Sequence, residues 1–243
     1  MSTIEVKDFK KHYGKVKAVD GVSFNVEPGE IFGFLGPNGA GKTTTIRTMM
    51  DFMRPTAGKI TILGLDSVDD TVQLKGKIGY LSGEIRLYSK WTGKEHIDFV
   101  RSLNSKKKDT SKELIGRFGL DPSVKTKQLS TGNRQKLGII MALMLEPEVL
   151  IMDEPTTGLD PLLQNTVYDL LREVTQQGST VFVSSHNLAE VDKMCDKVGI
   201  IKNGKMVAIE SVQSLKQKRM HIAEAHFETE FNKNDFAVEG ISV

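Results

Sequence analysis

The sequence predicts an α/β domain with a mostly parallel sheet. Three observations predict it. Apolar strand-like runs alternate with helix-patterned segments. One fully apolar run, Ile31-Phe32-Gly33-Phe34-Leu35, opens into a glycine-rich loop, and another, Val149-Leu150-Ile151-Met152, ends in two acids. Strands buried on both faces read as continuous apolar runs, as they do where helices cover a parallel sheet. Ligands in such folds gather at the carboxyl ends of the strands, where both motifs fall.

In chain order, Ile4-Glu5-Val6 and Val22-Ser23-Phe24-Asn25-Val26 alternate as strands, and Pro28-Gly29 turns the chain into the first buried strand. The glycine loop is followed by a helix expected over Thr43 to Met53, stopped by Arg54-Pro55-Thr56-Ala57-Gly58. From about Glu84 to Pro147 the pattern is mostly helical, with breaks at Gly119 and Pro122. After Val149-Met152 come a helix from about Pro161 to Gln177, a strand Thr180 to Val183, a helix around Leu188 to Cys195 and a strand Val198 to Lys202. Asn203-Gly204 between apolar runs signals a hairpin. Past about Gln213 the character changes, and His221 to Glu228 and Phe236 to Val243 read as two short strands joined by a polar stretch.

The bulk numbers bound the function. With 243 residues, 39% hydrophobic and 26% charged, the chain can build one large domain with its own core, or one domain plus a small appendage. A formal net charge of +2 gives no footprint for nucleic acid, and Lys106 to Lys108 is a short solvated cluster followed by Asp109. The one cysteine, Cys195, excludes an intrachain disulfide framework. MSTIEVKDFKK lacks the apolar core of a signal peptide, and the longest apolar stretch, Leu137 to Leu145, is far short of the roughly 18 residues that span a bilayer. A soluble, cytoplasmic protein is expected, with any membrane role exerted through a partner.

Gly36-Pro37-Asn38-Gly39-Ala40-Gly41-Lys42-Thr43 fits G-x-x-x-x-G-K-[ST], the Walker A pattern. Phosphates concentrate negative charge. Glycines let successive backbone N–H groups converge on them, and the following helix N-terminus adds partial positive charge. Lys42 would reach the β- and γ-phosphates of ATP, Thr43 would place its hydroxyl on Mg²⁺, and Thr44 is a candidate α-phosphate contact. Asp153 ends the second buried strand, in position for the Mg²⁺ shell. Glu154, one residue on, is the candidate that polarises an attacking water. Either acid alone reads as an ordinary strand-end carboxylate; the phosphate loop changes that weighting. His186, just past a strand end on the same edge, is the candidate contact to the γ-phosphate and the water.

With these residues in place the chain resembles the ATP-binding subunits of ABC (ATP-binding cassette) transporters over about residues 2–215. The most specific part is Leu129-Ser130-Thr131-Gly132-Asn133, followed by Arg134-Gln135-Lys136, which is similar to the family's L-S-G-G-Q signature. The resemblance implies a P-loop NTPase core, an N-terminal antiparallel β subdomain and a helical signature subdomain at about 84–147. It also implies a head-to-tail dimer in which the Ser130–Asn133 turn meets ATP held by a second subunit. Tyr13 resembles the aromatic residue that stacks on adenine, Thr157-Gly158-Leu159-Asp160 the D-loop, and His186 the H-loop. The cofactors implied are ATP and Mg²⁺. The partners implied are a polytopic membrane permease and a second ATP-binding subunit, and the location is the cytoplasmic face of the membrane.

Departures from the family pattern are informative. Thr131 stands where glycine is usual and Asn133 where glutamine is usual. In Ile78-Gly79-Tyr80-Leu81-Ser82-Gly83-Glu84, Gly83 takes the place of the Q-loop glutamine, so Glu84 is the substitute metal ligand that this reading puts forward. The combination resembles ABC-2 type exporters of drugs, peptides or polymers. Residues 216–243 resemble the start of a small C-terminal extension, and ending at Ile241-Ser242-Val243 reads as incomplete. The alternative of a soluble ABC ATPase in translation or DNA repair fits less well: those carry two cassettes or a long coiled-coil insertion. A GTPase reading of Asn232-Lys233-Asn234-Asp235 fails because that motif follows a polar stretch late in the chain. A binding module without hydrolysis is disfavoured by the presence of Lys42, Asp153, Glu154 and His186.

Overall fold

The computed structural model describes residues 2–104 and 107–217. The chain runs β1 (Ile4–Tyr13), β2 (Val16–Val26), β3 (Ile31–Leu35), α1 (Lys42–Met49), β4 (Ala57–Ile62), β5 (Leu65–Asp66), α2 (Thr71–Lys75) and β6 (Ile78–Leu81). It continues through α3 (Gly93–Leu103), α4 (Ser111–Phe118), a 3₁₀ turn at Thr126–Gln128, α5 (Thr131–Leu143), β7 (Val149–Asp153) and α6 (Pro161–Gln176). Last come β8 (Thr180–Ser185), α7 (Leu188–Met194), β9 (Lys197–Lys202), β10 (Lys205–Ser211) and α8 (Val212–Gln217).

Two sheets form. The central one has order β10-β9-β3-β8-β7-β6 and is parallel except for the β9–β10 hairpin. The other, β2-β1-β4-β5, is antiparallel. The apolar runs of β3, β7 and β8 serve both faces of the central sheet. Phe32, Phe34, Val149, Ile151 and Phe182 face the antiparallel sheet, while Ile31, Leu150, Met152, Val181 and Val183 pack under the helices. Between the sheets Phe24 stacks on Phe32 and Phe182, with ring centroids 5.3 and 5.7 Å apart, the offset spacing that aromatic pairs favour. The segment between β6 and β7 carries α3, α4 and α5, as the helical reading of residues 84–147 anticipates. A full capping box at Thr92 and Glu95 starts α3, and Gly119 at φ 57° ends α4.

The differences from expectation have local causes. The helix after the glycine loop stops at Met49, short of Met53, because Asp51 turns left-handed at φ 53° and Phe52 N–H closes onto Arg47 O at 2.9 Å. Ala57 and Gly58, expected as the end of the helix stop, begin β4, the strand that pairs with β1. Chain past Gln213 continues as α8 as far as Gln217, and the strands expected at His221–Glu228 and Phe236–Val243 lie outside the described residues.

Candidate active site

The carboxyl ends of β3, β7 and β8 bring the candidate groups together. The glycine loop leaves β3 and enters α1. A Cβ on Gly36 would sit 2.3 Å from Ile201 O, so the loop's first residue has room only for hydrogen. Gly41 caps α1 at φ 109°, a conformation L side chains avoid. The loop is braced from behind by the β9–β10 turn, where Gly204 N–H donates to Ala40 O at 3.0 Å and Gly204 O accepts from Asp20 N–H at 2.8 Å. Pro37, Asn38 and Gly39 form the exposed crest, and Ala40 is buried. The first turn of α1 has no side-chain cap, which leaves its N–H groups and the positive end of the helix available to an anion.

Lys42 is 6% exposed. Its Nζ donates to Gly36 O at 2.6 Å and Pro37 O at 3.3 Å and lies 3.5 Å from Glu154 Oε1. Glu154 Oε2 is 2.8 Å from His186 Nδ1, which makes a continuous Lys42–Glu154–His186 arrangement across three elements. Glu154 adopts φ 51°, which turns it out of the β7 direction, and its N–H is held by Ser184 O at 3.2 Å and Ser184 Oγ at 3.1 Å. A left-handed non-glycine residue at a strand end stores strain that its surroundings must offset. Thr43 Oγ1 donates to Asp153 Oδ2 at 2.8 Å, and Ser184 Oγ donates to Asp153 Oδ1. Asp153 is 3% exposed, and each of its two buried carboxyl oxygens meets one hydroxyl. Thr43 itself is exposed and Thr44 half-buried on the next step of the helix. Together Thr43 and Asp153 present hard oxygen donors beside the phosphate loop, a donor set that fits Mg²⁺.

The other sequence candidates lie apart from this cluster. Ser130 caps α5, its Oγ accepting from Asn133 N–H at 3.2 Å, with Thr131 exposed on the same turn. Gly132 packs against the loop after β7, since a Cβ there would meet Gly158 O at 3.0 Å. Asp160 caps α6, accepting from Leu162 and Leu163 N–H at 3.1 and 3.0 Å. Tyr13, 48% exposed, ends β1 with its hydroxyl 3.0 Å from Met53 Sδ and Lys11 Nζ 5.2 Å from its ring centroid. The Glu84 side chain is 66% exposed and pairs with Arg86 at 3.0 Å. What approaches Asp153 from that loop is Gly83, where an added Cβ would come 3.1 Å from Asp153 Oδ2.

Two contributors carried no role in the sequence reading. Ser184 sits opposite Asp153 in the parallel β7–β8 register, a pairing that aligning the two apolar runs could have suggested. Gln135, inside the signature-like stretch, is buried against the Glu154 backbone.

A strand–glycine loop–helix unit, with an acid-tipped parallel strand two places along the same sheet, defines the P-loop class of nucleotide-binding ATPases. The chain belongs to the ABC transporter family, whose model matches residues 19–157, and it is accordingly an ATP-binding and ATP-hydrolysing cassette. It is 38% identical to the linearmycin resistance ATP-binding protein LnrL of Bacillus subtilis, over 85% of this chain and 68% of that protein. It is also 38% identical to the bacitracin transport ATP-binding protein BcrA of Bacillus licheniformis, over 85% and 69% respectively. A solved ATP-binding subunit of an ABC transporter superposes with a TM-score of 0.82 at 30% identity, covering 89% of this chain and 93% of that one.

Proposed function

We propose that this chain is the motor subunit of an ABC-2 type exporter of drugs, peptides or polymers. It would work as one of two ATP-binding subunits attached to a polytopic permease at the cytoplasmic face of the membrane. The observation that carries the chemistry is the Lys42–Glu154–His186 arrangement beside the phosphate loop. The exporter branch is supported by the relatives, which are named for linearmycin resistance, bacitracin transport and daunorubicin resistance.

In this reading the crest Pro37–Gly39, Ala40, Gly41 and the α1 N-terminus cradle the phosphates, and Thr44 adds a hydroxyl. Lys42 leaves the Gly36 and Pro37 carbonyls to meet the β- and γ-phosphates. Thr43 and Asp153 hold Mg²⁺, which supplies charge neutralisation between the phosphates. Glu154 accepts a hydrogen bond from the attacking water and His186 fixes the Glu154 carboxylate. Tyr13 stacks on the base. Ser130, Thr131, Gly132 and Asn133 meet the γ-phosphate of the second subunit's ATP, and Asp160 lies along that interface. Glu84 leaves Arg86 when nucleotide is loaded and joins Thr43 and Asp153 as a metal ligand. The ATPase domain spans 1–215, with 216–243 an extension.

The permease would dock in the groove of about 550 Å³ beside β6 and α5, floored by Tyr80, Ile85, Met141 and Leu145. Lys75, Arg86 and Lys107 also line it, so an amphipathic cytoplasmic helix with apolar and acidic residues complements it. No helix among the described residues is long and apolar enough to cross a membrane. The test is purification of tagged chain from its native cell in mild detergent. A polytopic membrane protein in stoichiometric amount supports the proposal. Ribosomes or repair proteins as the only partners would leave the ATPase chemistry and remove the exporter.

A further inference from the structure

Gln135 joins the first turns of α5 to the backbone of Glu154. Its side chain is 5% exposed, and its amide Nε2 donates to Pro155 O at 2.7 Å and, more weakly, to Glu154 O at 3.4 Å. Among the described residues Pro155 O accepts no other hydrogen bond. Two steric contacts close the same joint. A Cβ on Gly158 would lie 3.2 Å from Thr131 Cγ2, and one on Gly132 would lie 3.0 Å from Gly158 O. The helix turn bearing Ser130–Asn133 and the loop from Glu154 to Gly158 are therefore packed as one piece.

Glu154 needs such a brace. It sits at φ 51°, with its N–H fixed by Ser184 from one side. The carbonyl side is fixed by Gln135 and by Thr157 N–H at 3.3 Å. A buried amide whose donors are spent on main-chain carbonyls specifies geometry more than it adds net stability, because leaving the acceptor unpaired costs more than the bond contributes.

We propose that Gln135 is a positioning residue. It transmits the seating of the Ser130–Asn133 turn to the Glu154 carboxylate, so that closure of the signature turn on its phosphate and alignment of the water-directing group are a single event. This rests on the catalytic role given to Glu154 above. Gln135 touches no reacting atom; it acts through the peptide that carries Glu154.

The test uses the full chain and two variants, with single-turnover ATP hydrolysis, equilibrium ATP binding and a thermal melt for each. Gln135→Leu removes the donor at similar volume. It is expected to lower the hydrolysis rate by about tenfold while leaving ATP affinity within about twofold, the pattern of an interaction used in the transition state. Gln135→Glu keeps the shape but faces Pro155 O with a carboxylate. Protonated, that carboxyl donates again, so the rate relative to wild type is expected to recover on acidification. A Gln135→Leu protein that folds and turns over like wild type overturns the proposal. So does a Gln135→Glu protein that is slow with no acid recovery, which would reduce Gln135 to a packing residue. If wild type binds ATP without hydrolysing it, the role of Glu154 falls first and this inference with it.

Discussion

Replacing Glu154 by glutamine isolates the chemical step from binding. The carboxylate lies 3.5 Å from Lys42 Nζ and 2.8 Å from His186 Nδ1. Glutamine has the same shape. Its carbonyl oxygen can face the lysine and its amide can donate to the imidazole, so the local geometry survives. What is lost is a basic oxygen able to take a proton from water, worth about 10²- to 10⁴-fold in comparable general-base roles, or roughly 3–5 kcal/mol of barrier. Binding moves the other way. In the proposed site the Glu154 carboxylate, 3.5 Å from Lys42 Nζ, would face the phosphates, and unit charges about 4 Å apart repel by roughly 4 kcal/mol at an effective dielectric of 20, before solvent and counter-charges reduce it. Glu154→Gln is therefore expected to bind ATP at least as tightly as wild type while its single-turnover hydrolysis falls by at least about 100-fold. Fluorescent-nucleotide titration and quenched-flow hydrolysis measure the two separately. Hydrolysis within about threefold of wild type would refute the assignment of Glu154 as the group that activates water.

Lys42→Ala should weaken ATP binding by about 30-fold or more, since a nearly dry ammonium that can make charge-assisted hydrogen bonds is removed; calorimetric titration would show it, and unchanged affinity would contradict the phosphate-loop assignment. Gly36→Ala should lower the melting temperature as well as nucleotide affinity, because its Cβ would sit 2.3 Å from Ile201 O and main chain must move. Cys195 should resist alkylation in the folded chain and react on denaturation, as burial pushes its thiol pKa well above the ordinary value; peptide mass spectrometry after iodoacetamide reports this. Bidentate hydrogen bonds from Arg117 hold Glu173 below the usual carboxylate range, so its contribution is present above the unfolded-state pKa and is lost as pH falls through the folded one. Because that carboxylate is 46% exposed the effect is under about 1 kcal/mol, and urea melts of Glu173→Gln should be less acid-sensitive than wild type by that small margin.

Much of the candidate site's grouping was legible because its residues are contiguous in the chain. Gly36 to Thr43 is a single loop, and Asp153-Glu154 is the end of a single strand. The central sheet was legible for a related reason: strands covered on both faces leave unbroken apolar runs, as in β3 and β7. The antiparallel sheet was harder. β4 carries Ala57-Gly58-Lys59, exposed at its start, and pairs with β1 through a register shift that no local pattern announces. The early end of α1 depended on Asp51 adopting φ 53°, which aspartate tolerates without a sequence signature. Ser184 and Gln135 stayed without roles because each acts across a long sequence gap, on Asp153 and on the 154–155 backbone. Glu84, put forward from its neighbour's missing side chain, pairs with Arg86, and the direction of that side chain is not encoded in the local sequence.

The strand order carries a warning for anyone trimming this protein. β3 feeds the phosphate loop, yet both of its neighbours, β8 and β9, come after residue 157, where the family match stops. A fragment cut there would keep every glycine of the loop and both strand-end acids while stripping β3 of its hydrogen-bonded partners on each side and the loop of its brace at Gly204. The motif would be intact and the cradle gone. A minimal nucleotide-binding piece has to run at least through the β9–β10 hairpin, and Val212, buried and donating its N–H to Asp196 O at 2.9 Å, marks a sensible boundary.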